Sequence, residues 1–221
     1  NSNIDFMDDP LQGIVKDTYI HEINTAEDTV KVGFLSVVPT QILKWDKFHL
    51  EGRVEVHPMT EAVKKTTAQL KADGADIVIL LAHTGMSNAD ADLSQFGENQ
   101  AVLMAMMEGI DGIVFGHTHD VFPNDNLLIE DDRIDIGKGT FNNIPMVQPG
   151  VSASHLGALN FELEYSGGLW QVREASSRLI SAEDIVLKDD ELADYKQDHE
   201  KVLEYLNIPI GKTDYPLNTY F

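Results

Sequence analysis

Three residues combine a suitable type with a suitable position for chemistry: His83, His117 and His119. His83 directly follows the apolar run 75–82 (ADIVILLA) and is followed by Thr84-Gly85. His117 and His119 lie in Gly116-His117-Thr118-His119, just beyond the run 110–115 (IDGIVF). Neutral imidazole is the commonest protein ligand of transition metals. In open α/β sheets, ligands bind in the crevice beyond the carboxyl ends of the strands. Both runs would deliver their histidines there. One histidine at a strand tip is ordinary turn chemistry, whereas two strand ends carrying three histidines point to a metal. Three neutral ligands leave most of a cation's charge uncompensated. A hydrolytic centre with two ions about 3.5–4 Å apart would therefore add carboxylates.

The other five of the eight histidines read differently. His21, His49 and His199 sit in polar surroundings and are expected at the surface. His57 precedes Pro58 and a helix start, which suits a turn or capping role. His155, in Ser154-His155-Leu156-Gly157, is balanced between a structural role and one behind a phosphate site. Asp46 and Asp120 could cap turns or balance the histidines, and capping is the favoured reading.

The elements that must hold the three histidines are legible in the pattern of apolar residues. Residues 30–38 (VKVGFLSVV) read as a buried strand closed by Pro39. A helix opens at Thr60, with Glu61 in its first turn and Ala62, Val63, Thr66 and Leu70 along one side, and Gly74 closes it. The run 75–82 is then a strand covered on both faces. A second helix is expected over 98–108, ended by Gly109, before the strand 110–115. Helix–glycine–strand twice over implies a parallel or mixed sheet in a layered α/β architecture. After Pro123, short runs at 144–147, 158–165 and 170–173 read as antiparallel strands and hairpins. Residues 181–206 read as a solvated amphipathic helix, broken by Ile208-Pro209-Ile210-Gly211.

Composition limits the partners. The 221 residues carry 16 basic and 37 acidic side chains, a formal charge of −21. The mean field repels nucleic-acid polymers and anionic membranes. An anionic small substrate would need a local positive centre, which a metal supplies. With no cysteine, disulfides, thiolate metal sites and cysteine nucleophiles are excluded.

The stretches VKVGFLSVVP, ADIVILLAHTG and GIDGIVFGHTHDVFP resemble calcineurin-like metallophosphoesterases. Within them the resemblance is to the 2′,3′-cyclic-nucleotide 2′-phosphodiesterase/3′-nucleotidase branch of the 5′-nucleotidase group. Trp45-Asp46, Lys138-Gly139-Thr140, Pro149-Gly150 and His155-Leu156-Gly157 add to the match, which runs from about Asn1 to Gly211. The resemblance implies an α/β/β/α sandwich. It assigns His83 and His117 to one metal of a two-metal site and His119 to the other, the ions being Mn, Zn, Fe or Co. The implied reaction is attack of a metal-activated water on the phosphorus of a nucleotide. Such enzymes also carry Asp-x-His, Gly-Asp and Gly-Asn-His-Asp/Glu motifs upstream. None of these occurs here, since the sequence has no Gly-Asp and no Asn-His dipeptide.

The expectation is therefore a C-terminal part of the catalytic domain over 1–211, with 212–221 leading toward a nucleotide-binding domain outside this chain. The parent protein would be a periplasmic or secreted bacterial hydrolase of 2′,3′-cyclic nucleotides and 3′-nucleotides. The alternatives are a 5′-nucleotidase/UDP-sugar hydrolase or a catalytically silent scaffold. This chain alone would be inactive, and its open sheet edges would invite self-association.

Overall fold

The computed structural model describes residues 1–7, 13–87, 92–127, 129, 131–186 and 189–215. In chain order the elements are β1 (Ile4–Phe6), β2 (Thr18–Asn24), β3 (Thr29–Val37), α1 (Ile42–Trp45), α2 (Lys47–Leu50), β4 (Val54–Val56), α3 (Met59–Ala72), β5 (Ile77–Ala82), α4 (Ala101–Ala105), β6 (Gly112–Phe115), β7 (Val121–Phe122), β8 (Ile134–Asp135), β9 (Thr140–Phe141), β10 (Ile144–Pro149), β11 (His155–Ser166), β12 (Leu169–Ser181) and α5 (Asp189–Leu206). They fall into two units, Asn1–Ala182 and Glu183–Phe221.

The first unit is built on a mixed sheet in the order β2-β3-β5-β6-β10-β9-β8, with β7 also pairing β10. Strands β3, β5, β6 and β10 run parallel. Strands β2 and β9 pair antiparallel to their neighbours. The expected strands 30–38, 75–82 and 110–115 are β3, β5 and β6. Their apolar runs form central strands because both faces are covered. Helices α3 and α4 pack on one face over Leu35, Val37, Leu80, Ile113 and Phe115. The β11–β12 hairpin lies on the other, where Leu159, Phe161, Leu163 and Trp170 meet Val30, Ile77 and Ile79. Helix, sheet and hairpin thus stack as α/β/β layers, a mixed α/β fold.

Helix α3 begins one residue earlier than the sequence suggests, after Pro58, and buries Met59, Ala62, Val63, Thr67 and Leu70. Glu61 lies in its first turn, where the helix dipole favours a negative charge. Its exit is a left-handed turn at Gly74 (φ +90°), with the Ala75 N–H donating to the Leu70 carbonyl.

Three expectations need correction. The helix expected over 98–108 is only the five residues of α4. Glu98, Asn99 and Gln100 are tied into a loop by hydrogen bonds to Thr84 and Asp92 that compete with helical ones. Strand β10 pairs parallel with β6 and antiparallel with β7 and β9, so the region after Pro123 is not purely antiparallel. Ser181 starts no helix: it ends β12, paired with His155, and the helix of the second unit is α5. Among the described side chains of α5, Tyr195, Val202, Leu203 and Leu206 are exposed. No helix of the described residues is long and apolar enough to cross a membrane.

Candidate metal centre

Parallel pairing of β5 with β6 places Ala82 beside Phe115, so the two strands end together. His83 extends the β3–β5 ladder by one bond, its N–H donating to the Val37 carbonyl at 2.9 Å. The two turns are tied by the Gly116 N–H donating to the Thr84 carbonyl. The His83 and His117 rings therefore meet edge to face, with centroids 5.1 Å apart. Burial, then repulsion from His117 and His119, holds the His83 pKa below its ordinary value. His83 is thus biased toward neutral imidazole, the form that ligates a metal.

His117 (φ 76°) and His119 (φ 63°) both adopt the left-handed conformation. For non-glycine residues this costs about 1–3 kcal/mol each, and surrounding bonds must enforce it. Here the Thr118 N–H donates to the Gly116 carbonyl. The Thr118 hydroxyl accepts from the Nε2 of buried Gln148 at 2.9 Å.

Two residues that the sequence did not single out for chemistry complete the surroundings of His117. Nε2 of His117 is 2.6 Å from Oε1 of Glu98. The Trp45 indole stacks on its ring, centroids 5.0 Å apart and planes 17° apart. The Glu98 loop is clamped to the turn after β5. The buried Thr84 hydroxyl donates to the Glu98 carbonyl at 2.6 Å and accepts the Gln100 N–H at 2.7 Å. The Gly85 N–H donates to Asn99 Oδ1. A Cβ on Gly85 would overlap the Thr118 methyl and come within 2.6 Å of Asn99 Oδ1. Gly85→Ala is accordingly expected to destabilise the chain by about 1–3 kcal/mol through overpacking. Urea unfolding checks this, and an unchanged midpoint would contradict it.

Asp92 holds the same loop from the other end, accepting the Asn99 N–H at 2.8 Å and the Glu98 N–H at 3.1 Å. Burial raises its pKa, but bonds from Asn99, Ser87 and Glu98 outweigh this and bring it below the ordinary value. A depressed carboxylate pKa gives stability that is present above the unfolded value, near 4, and lost as pH falls through the folded one. Amide protection at Glu98 and Asn99 is therefore expected to fall on acidification below about pH 4. Hydrogen exchange should show that pH dependence vanish in Asp92→Asn.

The remaining candidates fall as follows. His21, His49 and His199 are exposed. His57 caps nothing: Pro58 occupies the N-cap position of α3, and the His57 ring hydrogen-bonds Asp5 at 2.7 Å. Asp46 stands at the N-cap of α2 without a side-chain capping bond. Asp120 helps line a cavity of about 320 Å³ with Met86, Phe115, Phe122, Asn124 and Gln148. His155 sits at the start of β11 with Nδ1 3.0 Å from the Ser154 hydroxyl. Among the described residues, the group whose potential ligand atoms already lie within 4.8 Å of one another is elsewhere, the exposed Asp5, Glu55 and His57. Cross-strand pairing of Asp5 with Glu55 in the β1–β4 ribbon creates it.

The donor set fits a divalent transition metal. An imidazole biased toward neutrality, a second one beside a carboxylate, and a third close enough to interact electrostatically with the first are nitrogen donors of the kind such ions take.

Two adjacent parallel strands thus end in histidines at one edge of a layered α/β fold. Known proteins share that fold. The chain is 36% identical over 207 residues to the 2′,3′-cyclic-nucleotide 2′-phosphodiesterase/3′-nucleotidase of Salmonella typhimurium, covering 90% of the chain and 32% of that protein. It is 34% identical over 212 residues to the trifunctional nucleotide phosphoesterase protein YfkN of Bacillus subtilis, covering 94% of the chain and 14% of that protein. The crystal structure of calcineurin-like phosphoesterase YfkN from Bacillus subtilis superposes with a TM-score of 0.80 at 31% identity, over 93% of this chain and 62% of that one. A 5′-nucleotidase precursor from Thermus thermophilus, at 17% identity and a TM-score of 0.60, shares the fold. No family model matches the chain. The chain is a homologue of the calcineurin-like phosphoesterases, and it spans about a third or less of the length of these curated relatives.

Proposed function

We propose that the protein to which this chain contributes is a metal-dependent nucleotide phosphoesterase acting on 2′,3′-cyclic nucleotides and 3′-nucleotides. The observation that carries this is the His83–His117 pair at the joined ends of β5 and β6, 5.1 Å apart, with His83 biased toward neutrality. The relatives' names supply the substrate class.

In this reading His83 and His117 hold one divalent ion and His119 a second, the ions being Mn, Zn, Fe or Co. Bound ions would acidify water and stabilise charge on the phosphoryl oxygens. The chain's own residues do the rest. His83 offers a lone pair because its surroundings disfavour the charged ring. The clamped Thr84 and Gly85 turn holds the backbone from which that ring projects. Trp45 covers one face of His117 and limits its rotation. A positive centre here also answers the −21 charge, which would otherwise repel a phosphate.

Residues 1–211 form the C-terminal part of the catalytic domain in this proposal, with 212–221 leading toward a nucleotide-binding domain. The carboxylate ligands would come from other parts of the parent protein, which is periplasmic or secreted, and this chain alone is inactive. The parent acts on small nucleotides and takes neither a nucleic-acid polymer nor a membrane as partner. The β2 and β8 edges let the isolated chain self-associate.

Hydrolysis of 2′,3′-cyclic AMP with Mn²⁺ tests the proposal. Negligible turnover by the 221-residue chain is expected, with turnover by a longer protein carrying it that EDTA removes. Robust turnover by the chain alone, or EDTA-resistant turnover by the longer protein, would overturn it.

A further inference from the structure

The contact between Glu98 and His117 has a chemical direction. An imidazole that donates one ring N–H to a carboxylate must keep its lone pair on the other nitrogen. Outer carboxylates of this kind fix the tautomer of a metal-ligating histidine and raise its basicity. The Glu98 carboxylate is 37% exposed and the His117 ring 19%, so the bond is partly shielded from water.

We propose that Glu98 is a positioning residue, whose carboxylate accepts the Nε2 proton of His117 and so presents Nδ1 to a divalent cation. The inference rests on the metal role given above to His117.

Three independent features of the structure support it. First, the Glu98 backbone is held on both sides. Its N–H donates to Asp92, and its carbonyl accepts from the Thr84 hydroxyl, one residue after His83. The carboxylate is therefore delivered from the same turn that carries the other histidine. Second, the Trp45 indole lies parallel to the His117 ring and fixes its plane, which leaves the half-turn about χ2 as the choice still open. A hydrogen bond to one ring nitrogen is what removes a rotation of that kind. Third, His117 holds a strained left-handed backbone at φ 76°. A histidine kept there, tied through its side chain and stacked, has little orientational freedom left to lose on binding an ion.

Two measurements on the 221-residue chain decide the matter. Long-range ¹H–¹⁵N NMR of the metal-free protein at pH 8 reads the ring tautomer directly. His117 is expected as the Nε2–H form in the parent sequence and in Glu98→Gln, whose amide oxygen still accepts. In Glu98→Ala it is expected as an exchanging mixture. Zn²⁺ calorimetry then reads affinity. Glu98→Ala, which loses the hydrogen bond, should weaken binding by about 10–100-fold, while Glu98→Gln, which keeps it, should stay within about 3-fold. Far-UV circular dichroism confirms that both variants are folded.

An Nδ1–H tautomer in the parent chain overturns the inference, as does unchanged affinity in Glu98→Ala. Equal losses in the Gln and Ala variants overturn it too, since Glu98 would then be a ligand itself. His117→Ala separates the two levels. Unchanged affinity there removes the metal site and this inference together, whereas a loss there with none in Glu98→Ala removes the inference alone.

Discussion

His117→Ala is expected to lower turnover of 2′,3′-cyclic AMP by at least about 10³-fold in a protein that carries this chain with its complete site. A metal stabilises transition-state charge by several kcal/mol, and each 1.36 kcal/mol is tenfold in rate. The substitution removes one of two rings that meet at 5.1 Å. It also leaves Glu98 and Trp45 without the group they hold. Fold stability should change little by comparison, because Ala at φ 76° keeps the same backbone strain and the ring is at the end of the sheet, outside the core. Steady-state kinetics with Mn²⁺, beside urea unfolding, separates the two. A loss of activity that merely tracked unfolding would contradict this account.

Leu80→Ala is expected to cost about 3–5 kcal/mol, the upper part of the range for such truncations. Leu80 is fully buried on β5, paired with Leu35 of β3 on one side and Ile113 of β6 on the other. Hydrogen-bonded strands on both sides cannot close in to fill the space left, so most of the cavity persists. The neighbouring Leu81 points to the opposite face and is 41% exposed. Leu81→Ala should therefore cost about 1 kcal/mol or less. Equilibrium unfolding of the two variants tests the assignment of faces, and similar losses would contradict it.

The parts of this chain that were legible in sequence are those set by local pattern. The continuous apolar run ending in Ala82 reads as a strand covered on both faces, the shorter run ending in Phe115 reads as another strand, and Gly74 marks the exit of α3. The three histidines were visible because they stand directly after those runs. What escaped was decided by residues distant in sequence. Helix α4 is short because a hydroxyl at Thr84 reaches Gln100, an attachment no local window contains. Glu98 meets His117 across 19 residues, and Trp45 reaches the same ring from α1. The second half of β12, Glu174-Ala175-Ser176-Ser177-Arg178, lacks an apolar strand pattern and becomes a strand through its pairing with β11. His57 reads as a turn or capping residue, and its contact with Asp5 comes only from the pairing of β1 with β4.

If the strand-end histidines hold a metal, their amides lie beside it. Substoichiometric Mn²⁺ added to the ¹⁵N-labelled chain broadens amides near the bound ion. The first signals lost are expected to be those of His83, Thr84, Gly85 and the turn from Gly116 to Asp120. Broadening centred instead on Asp5, Glu55 and His57, with the strand-end signals intact, would contradict it.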